Sequence, residues 1–193
     1  MTHSSQLRQD ILAVRNKLTI DQLKKQSMAI HKNLLNLKEI LNSATVFIYV
    51  SFRSEVETLN LINTFLNLGK TVTVPITRVK EKRLDAIRIT DPETELVPGY
   101  CNIPEPREEL YAKQKADPAD IDLILLPGSV FDERGGRFGY GGGYYDRFVS
   151  SVPLALRVGL AFDLQIVEKA PIQAHDEILD LVITETRIIR GVR

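Results

Sequence analysis

The chain has 193 residues, of which 44% are apolar and 26% charged, with 25 Lys+Arg set against 25 Asp+Glu. That length suits one domain with a core of its own, and the balanced charge leaves no long-range field to draw the chain to nucleic acid or to an anionic membrane. The single cysteine, Cys101, excludes an intrachain disulfide framework. With a polar N-terminus and apolar runs too short to span a bilayer, it reads as a protein of a reducing, cytoplasmic compartment.

Ser4 or Ser5 can cap a first helix with apolar positions Leu7, Ile11, Leu12 and Val14. Thr19, followed three residues later by Gln22, has the form of a capping box. It opens a second helix whose stripe is Leu23, Ala29, Ile30, Leu34 and Leu37. "ATVFIYV" (44–50) is short, β-branched and aromatic, and reads as a buried strand. Helical spacing follows over 55–69, with Gly69 placed to end it, and "TVTVP" (71–75) is the next strand, which completes a βαβ unit. "RLDAIRI" (83–89) alternates like a strand, and the proline- and acid-rich stretch 91–106 reads as a long irregular loop. "IDLILLP" (121–127) is the strongest buried strand. Further strands are expected over 154–162 and 179–185, with an edge strand over 187–190. Strands alternating with helices, without a repeat or a linker, predict a single-domain α/β protein. The sheet should be mainly parallel and sandwiched by helices.

"GGRFGYGGGYYDR" (135–147) is the most unusual stretch. An arginine-glycine tract that binds RNA is repeated, and this one occurs once. It follows the apolar strand closely, and "YYDRFV" at its end can start a helix. Open α/β sheets bind ligands beyond the carboxyl ends of their strands. Glycines allow backbone N–H groups to converge on an anion there, and Arg137 supplies a guanidinium for a phosphate oxygen. The stretch matches neither the P-loop pattern nor a complete G-x-G-x-x-G.

"LILLPGSVFDERGGRFGYGGGYYDR" resembles the signature of the 5-formyltetrahydrofolate cyclo-ligase family, the 5,10-methenyltetrahydrofolate synthetases. "LRQDILAVRNKLT", "VFIYVSFRSEVET", "NIPEP" and "HDEILDLVITE" agree in order, so the resemblance spans nearly the whole chain. It implies an α/β/α sandwich fold. It also implies the closure of 5-formyltetrahydrofolate to 5,10-methenyltetrahydrofolate with ATP and Mg2+, releasing ADP and phosphate. Partners would be small molecules alone, reduced folate and ATP, with neither nucleic acid nor membrane, and the protein would be a monomer or weak homodimer.

By the same resemblance Arg8, Arg137, Phe138, Gly139, Tyr140, Gly141, Gly142, Gly143, Tyr144 and Tyr145 surround the nucleotide phosphates. Arg137 and Tyr144 take part in catalysis. Val50 and Glu55 contact the folate, together with residues 140–144. Asp146 and Asp176 match the metal-ligand positions, and a hard cation needs only one or two protein carboxylates beside phosphate oxygens. His175 is read as a packing or hydrogen-bonding residue, and Asp132 as a support for the loop. The family often has a lysine where Ser4 stands, and some members have basic residues at positions 140 and 142, which places more of the phosphate charge on Arg137. The residues alone also allow a related ATP-dependent enzyme with another acceptor, or a nucleotide-binding regulatory module without catalysis.

Overall fold

The computed structural model describes residues 3–173 and 176–193, so His175 lies outside the described residues. Helix α1 (His3–Arg15) leads into α2 (Ile20–Leu35) and the short α3 (Lys38–Asn42). Ser4 and Ser5 fall inside the first turn of α1 rather than capping it. Thr19 forms the expected capping box: its side chain accepts from the Gln22 N–H, and the Gln22 side chain accepts from the Thr19 N–H. Leu37 does not continue the α2 stripe. Asn36 ends that helix, and Leu37 stands at the N-terminus of α3.

Seven strands form the central sheet. They are β1 (Thr45–Ile48), β2 (Thr71–Arg78), β3 (Arg83–Ile89), β6 (Leu123–Leu126), β9 (Leu156–Leu160), β11 (Leu181–Ile183) and β12 (Ile188–Arg190). Their spatial order is β12-β11-β9-β6-β1-β2-β3. The four inner pairings are parallel, whereas β3 and β12 run antiparallel at the two edges. The inner strands are mostly apolar on both faces, as a covered parallel sheet requires, with Thr73 on β2 and Arg157 on β9 as buried polar exceptions. Val46, Ile48, Leu123, Leu125, Leu181 and Ile183 face α2, α3 and α4 (Leu59–Asn67) in one core cluster. Phe47, Ile124, Leu126 and Val182 face α6 (Tyr144–Ser150) in the other, where Phe47 and Phe148 stack at 4.1 Å between centroids. The layers are unequal, since the second face is covered by one short helix and by loops.

Helix α4 starts at Leu59, not at residue 55. The intervening segment is stapled as a loop: the Tyr49 hydroxyl donates to the Val56 carbonyl at 2.9 Å, and Ser51 and Thr58 exchange side-chain-to-backbone bonds. Gly69 ends the helix as expected. With φ at +75° it donates to the Leu66 carbonyl, and Lys70 donates to Phe65, which completes a Schellman motif.

The stretch 91–106 is not irregular. Asp91 caps the one-turn α5 (Pro92–Glu95), and β4 (Leu96–Pro98) pairs antiparallel with β5 (Pro104–Pro106) in a two-stranded ribbon. Prolines hid the ribbon, since they cannot donate to a ladder. A second small sheet also escaped the sequence pattern. It joins β7 (Val130–Asp132), β8 (Arg137–Phe138) and β10 (Ile166–Val167), each too short to show an alternation. No helix among the described residues is long and apolar enough to cross a membrane.

Candidate active site

From β1 the chain runs outward to β2 and β3, whereas β6, β9, β11 and β12 extend the sheet the other way. The connections therefore part at the carboxyl ends of β1 and β6, where open α/β sheets form a crevice. A cavity of about 1200 Å³ lies there, above the ~300–1,000 Å³ of a typical small-molecule site. Its walls come from α1, the loop after β1, the β2–β3 hairpin, the β4–β5 ribbon and the glycine loop running into α6.

The glycine loop is aimed by the β7–β8 hairpin that feeds it. Asp132 is buried and accepts from the N–H groups of Arg134, Gly136 and Ala170 at 2.8–2.9 Å, so it holds the hairpin turn and the 170 segment together. This is the supporting role expected of it. Ser129 Oγ donates to the Phe138 carbonyl at 2.7 Å. Beyond Phe138, Gly141 (φ +96°) and Gly143 (φ +63°) adopt the left-handed region, which any side chain would strain.

Around this loop stand four arginines, Arg15 among them. Arg8 reaches it from α1: its guanidinium lies 4.2 Å over the Phe138 ring and donates to the Tyr140 carbonyl at 3.3 Å, while its buried Nε has no hydrogen-bond partner among the described residues. An unpaired buried guanidinium N–H beside an open cavity fits an anionic ligand. Arg147 donates to the Gly142 carbonyl at 2.7 Å and lies over the Tyr144 ring. Arg137 is buried, and its guanidinium donates to Asp146 Oδ1 at 2.5 Å and to the Pro127 carbonyl at 3.2 Å. Its charge is therefore shared with Asp146 before any ligand arrives.

Asp146 and Asp176 both line the cavity, and Asp176 Oδ2 accepts from the Gln173 N–H at 2.7 Å. Among the described residues no group of three or more His, Cys, Asp or Glu side chains could hold a metal by itself. Two carboxylates lining one cavity suit a divalent cation that brings phosphate oxygens and waters of its own.

Glu55 also lines the cavity, half-buried in the loop after β1. Its Oε2 accepts from the Phe52 N–H at 2.9 Å, and its Oε1 accepts from the Tyr140 hydroxyl at 2.6 Å. Burial raises its pKa above the ordinary 4.5, opposed by those bonds and by Arg15. Burial likewise lifts the Tyr140 and Tyr145 phenols, with the charge of Glu55 adding to the effect, so both stay protonated at neutral pH. Val50 is placed differently. It is buried in the larger core cluster and is not among the lining residues, whereas 137–146 all line the cavity with Arg8 and Glu55.

Sequence reading missed Arg15, Glu105 and Arg147. Arg15 is buried and donates to Ser54 Oγ, the Gly128 carbonyl and the Tyr140 hydroxyl at 3.1–3.2 Å. Its spacing of seven residues from Arg8 puts both on one face of α1, a signal that was available. Glu105 is also buried and accepts from the Thr77 N–H at 2.9 Å, which ties the ribbon to β2.

This architecture has known counterparts. The solved NMR structure of the Aquifex aeolicus 5,10-methenyltetrahydrofolate synthetase matches with a TM-score of 0.85 and 32% identity over 98% of this chain and 93% of that one. The Mus musculus 5-formyltetrahydrofolate cyclo-ligase is 30% identical over 93% of this chain and 92% of its own length. The Escherichia coli K12 protein of the same name is 29% identical over 90% and 96%. The model of the 5-formyltetrahydrofolate cyclo-ligase family matches residues 1–185, and the chain, an enzyme of the ligase class, belongs to that family.

Proposed function

We propose that the protein closes 5-formyltetrahydrofolate to 5,10-methenyltetrahydrofolate, using ATP with Mg2+ and releasing ADP and phosphate. The observation that carries this reading is one cavity with two unlike sets of groups: a glycine loop edged by Arg8, Arg137 and Arg147, and a half-buried carboxylate, Glu55, that accepts from the Tyr140 hydroxyl.

The chemistry asks for both sets. The N5-formyl oxygen is a poor leaving group, so it attacks the γ-phosphorus of ATP, and ADP departs. N10 then attacks the activated formyl carbon, the C–O bond breaks with release of phosphate, and the N10 proton is lost as the ring closes. Such a sequence depends on positioning and on charge stabilisation more than on covalent help from the protein. Gly139, Gly141, Gly142 and Gly143 let backbone N–H groups approach the phosphates, and Arg8 supplies an unpaired donor to them. Arg137 holds Asp146 beside the same loop, with Tyr144 and Tyr145 next to it. Glu55 accepts N–H groups of the pterin. Asp146 and Asp176 would hold Mg2+, which neutralises charge on the transferring phosphoryl group.

Mixing the protein with ATP, Mg2+ and 5-formyltetrahydrofolate should produce the absorbance of the methenyl product, with one ADP formed per ring closed. ATP turnover without that product would turn the reading to another acceptor. Nucleotide binding without turnover would turn it to a regulatory module.

A further inference from the structure

Tyr140 is held in a way that the proposed roles of the glycine loop do not require. Its neighbours Gly139 and Gly141 have no side chains with which to anchor the chain, so the Tyr140 phenol fixes the middle of the loop. Its hydroxyl donates to Glu55 Oε1 at 2.6 Å and accepts from Arg15 Nη2 at 3.1 Å. Arg15 in turn is fixed by Ser54 in the loop after β1 and by the Gly128 carbonyl beyond β6. The backbone carbonyl of the same tyrosine accepts from Arg8. One residue thus joins the groups that face phosphate to the carboxylate that faces the pterin.

We infer that Tyr140 is a positioning residue that couples the two ligands, so that folate seated on Glu55 tightens the binding of nucleotide, and the reverse. The inference rests on the proposed function for the identity of the ligands. Its physical basis is the unused capacity of Glu55. A carboxylate has about four acceptor directions, and the Tyr140 hydroxyl and the Phe52 N–H take one on each oxygen. Pterin N–H groups can therefore be accepted without displacing Tyr140. A carboxylate held from three or four sides holds the phenol in turn, and the phenol holds the loop. The entropy of ordering the loop is then lost once, to the first ligand, and the second binds a loop already in place. Linkage makes the effect equal in both directions.

The test is calorimetric titration of a non-hydrolysable ATP analogue with Mg2+, with and without saturating 5-formyltetrahydrofolate, and the converse titration. In the wild type each ligand should tighten the other by about fivefold or more, the lower end of ordinary coupling. Tyr140→Phe keeps the ring and removes only the hydroxyl, so the coupling factor should fall towards one, whatever happens to the separate affinities. Arg15→Lys, which keeps the charge without the forked contact, should lower the factor as well. A general loss of stability would weaken both titrations without removing their interdependence, and melting curves of the variants control for it. Wild-type protein that binds both ligands with no coupling overturns the inference, as does coupling that survives Tyr140→Phe. Protein that binds neither ligand overturns the proposed function, and the inference with it.

Discussion

Arg137 is one of the least solvent-accessible charges in the molecule, yet it borders the cavity. Its ion pair with Asp146 means that neither residue acts alone. Removing the guanidinium leaves a partly buried carboxylate without its donor, a loss of about 1.5–3 kcal/mol. Arg137→Ala should therefore lower stability and raise the Mg2+ concentration for half-maximal rate, because Asp146 loses its anchor. Asp146→Asn and Asp176→Asn should raise that concentration too, and the Arg137→Ala/Asp146→Asn double variant should cost less than the sum of the singles. A magnesium titration of the four proteins reads each outcome. Superimposable curves would return the aspartates to structural roles.

Glu55 carries a pH signature. Its folded pKa lies above 4.5 because burial disfavours the charged form, and Arg15, Tyr140 and the Phe52 N–H offset only part of that. Tyr49 and Tyr145 also face it, and both stay neutral. A folded-state carboxyl with a raised pKa binds more protons than the unfolded chain between the two values. Stability therefore falls as pH rises from 4.5 through the raised value. Affinity for the folate should rise over the same window, since the carboxylate is the better acceptor. Glu55→Gln should flatten both slopes, as read by melting temperature and by folate titration against pH.

At the scale of elements, the glycine loop is a device for bringing backbone close to an anion, and its conformation excludes side chains. A Cβ on Gly141 would lie 3.2 Å from Arg8 Nη1, and the residue sits at φ +96°. Gly141→Val should therefore misplace the loop and lower kcat/KM for ATP on the order of 100-fold, while far-UV circular dichroism stays native. The α2 capping box contributes no side chain to the cavity lining and supplies a control. Thr19→Ala should cost about 1 kcal/mol of stability and leave turnover unchanged. A kinetic effect there would mean that α2 moves during the reaction.

At the scale of the whole molecule, both core clusters pack against one seven-stranded sheet, so neither persists without the other. Thermal unfolding should be a single transition. Each ligand at about 100 times its Kd should add about 2.7 kcal/mol, which for a chain of this size shifts the midpoint by roughly 5–10 °C. Two separated transitions in a calorimetric scan would show that the faces of the sheet unfold independently.

The strand pattern was legible in the sequence because the inner strands are mostly apolar and bounded by turn residues, as in "LILL" at 123–126. The capping box at Thr19 and the Schellman glycine at 69 were legible because both are contacts within a few residues. The glycine loop announced itself by composition, and with it the neighbourhood of the site. The ribbon over 96–106 and the β7–β8–β10 sheet were not legible, since strands of two or three residues, some rich in proline, carry no period of their own. Nor was the pairing of Arg137 with Asp146, or the junction of Arg15, Tyr140 and Glu55. The last spans up to 125 positions, and its members are unremarkable charged and aromatic residues wherever they stand in the chain. Local contacts are set by residues that are neighbours in sequence, so the sequence alone determined them. Long-range polar contacts exist only because the sheet brings the carboxyl ends of β1 and β6 side by side and α1 returns across them, and that placement was decided by the tertiary structure.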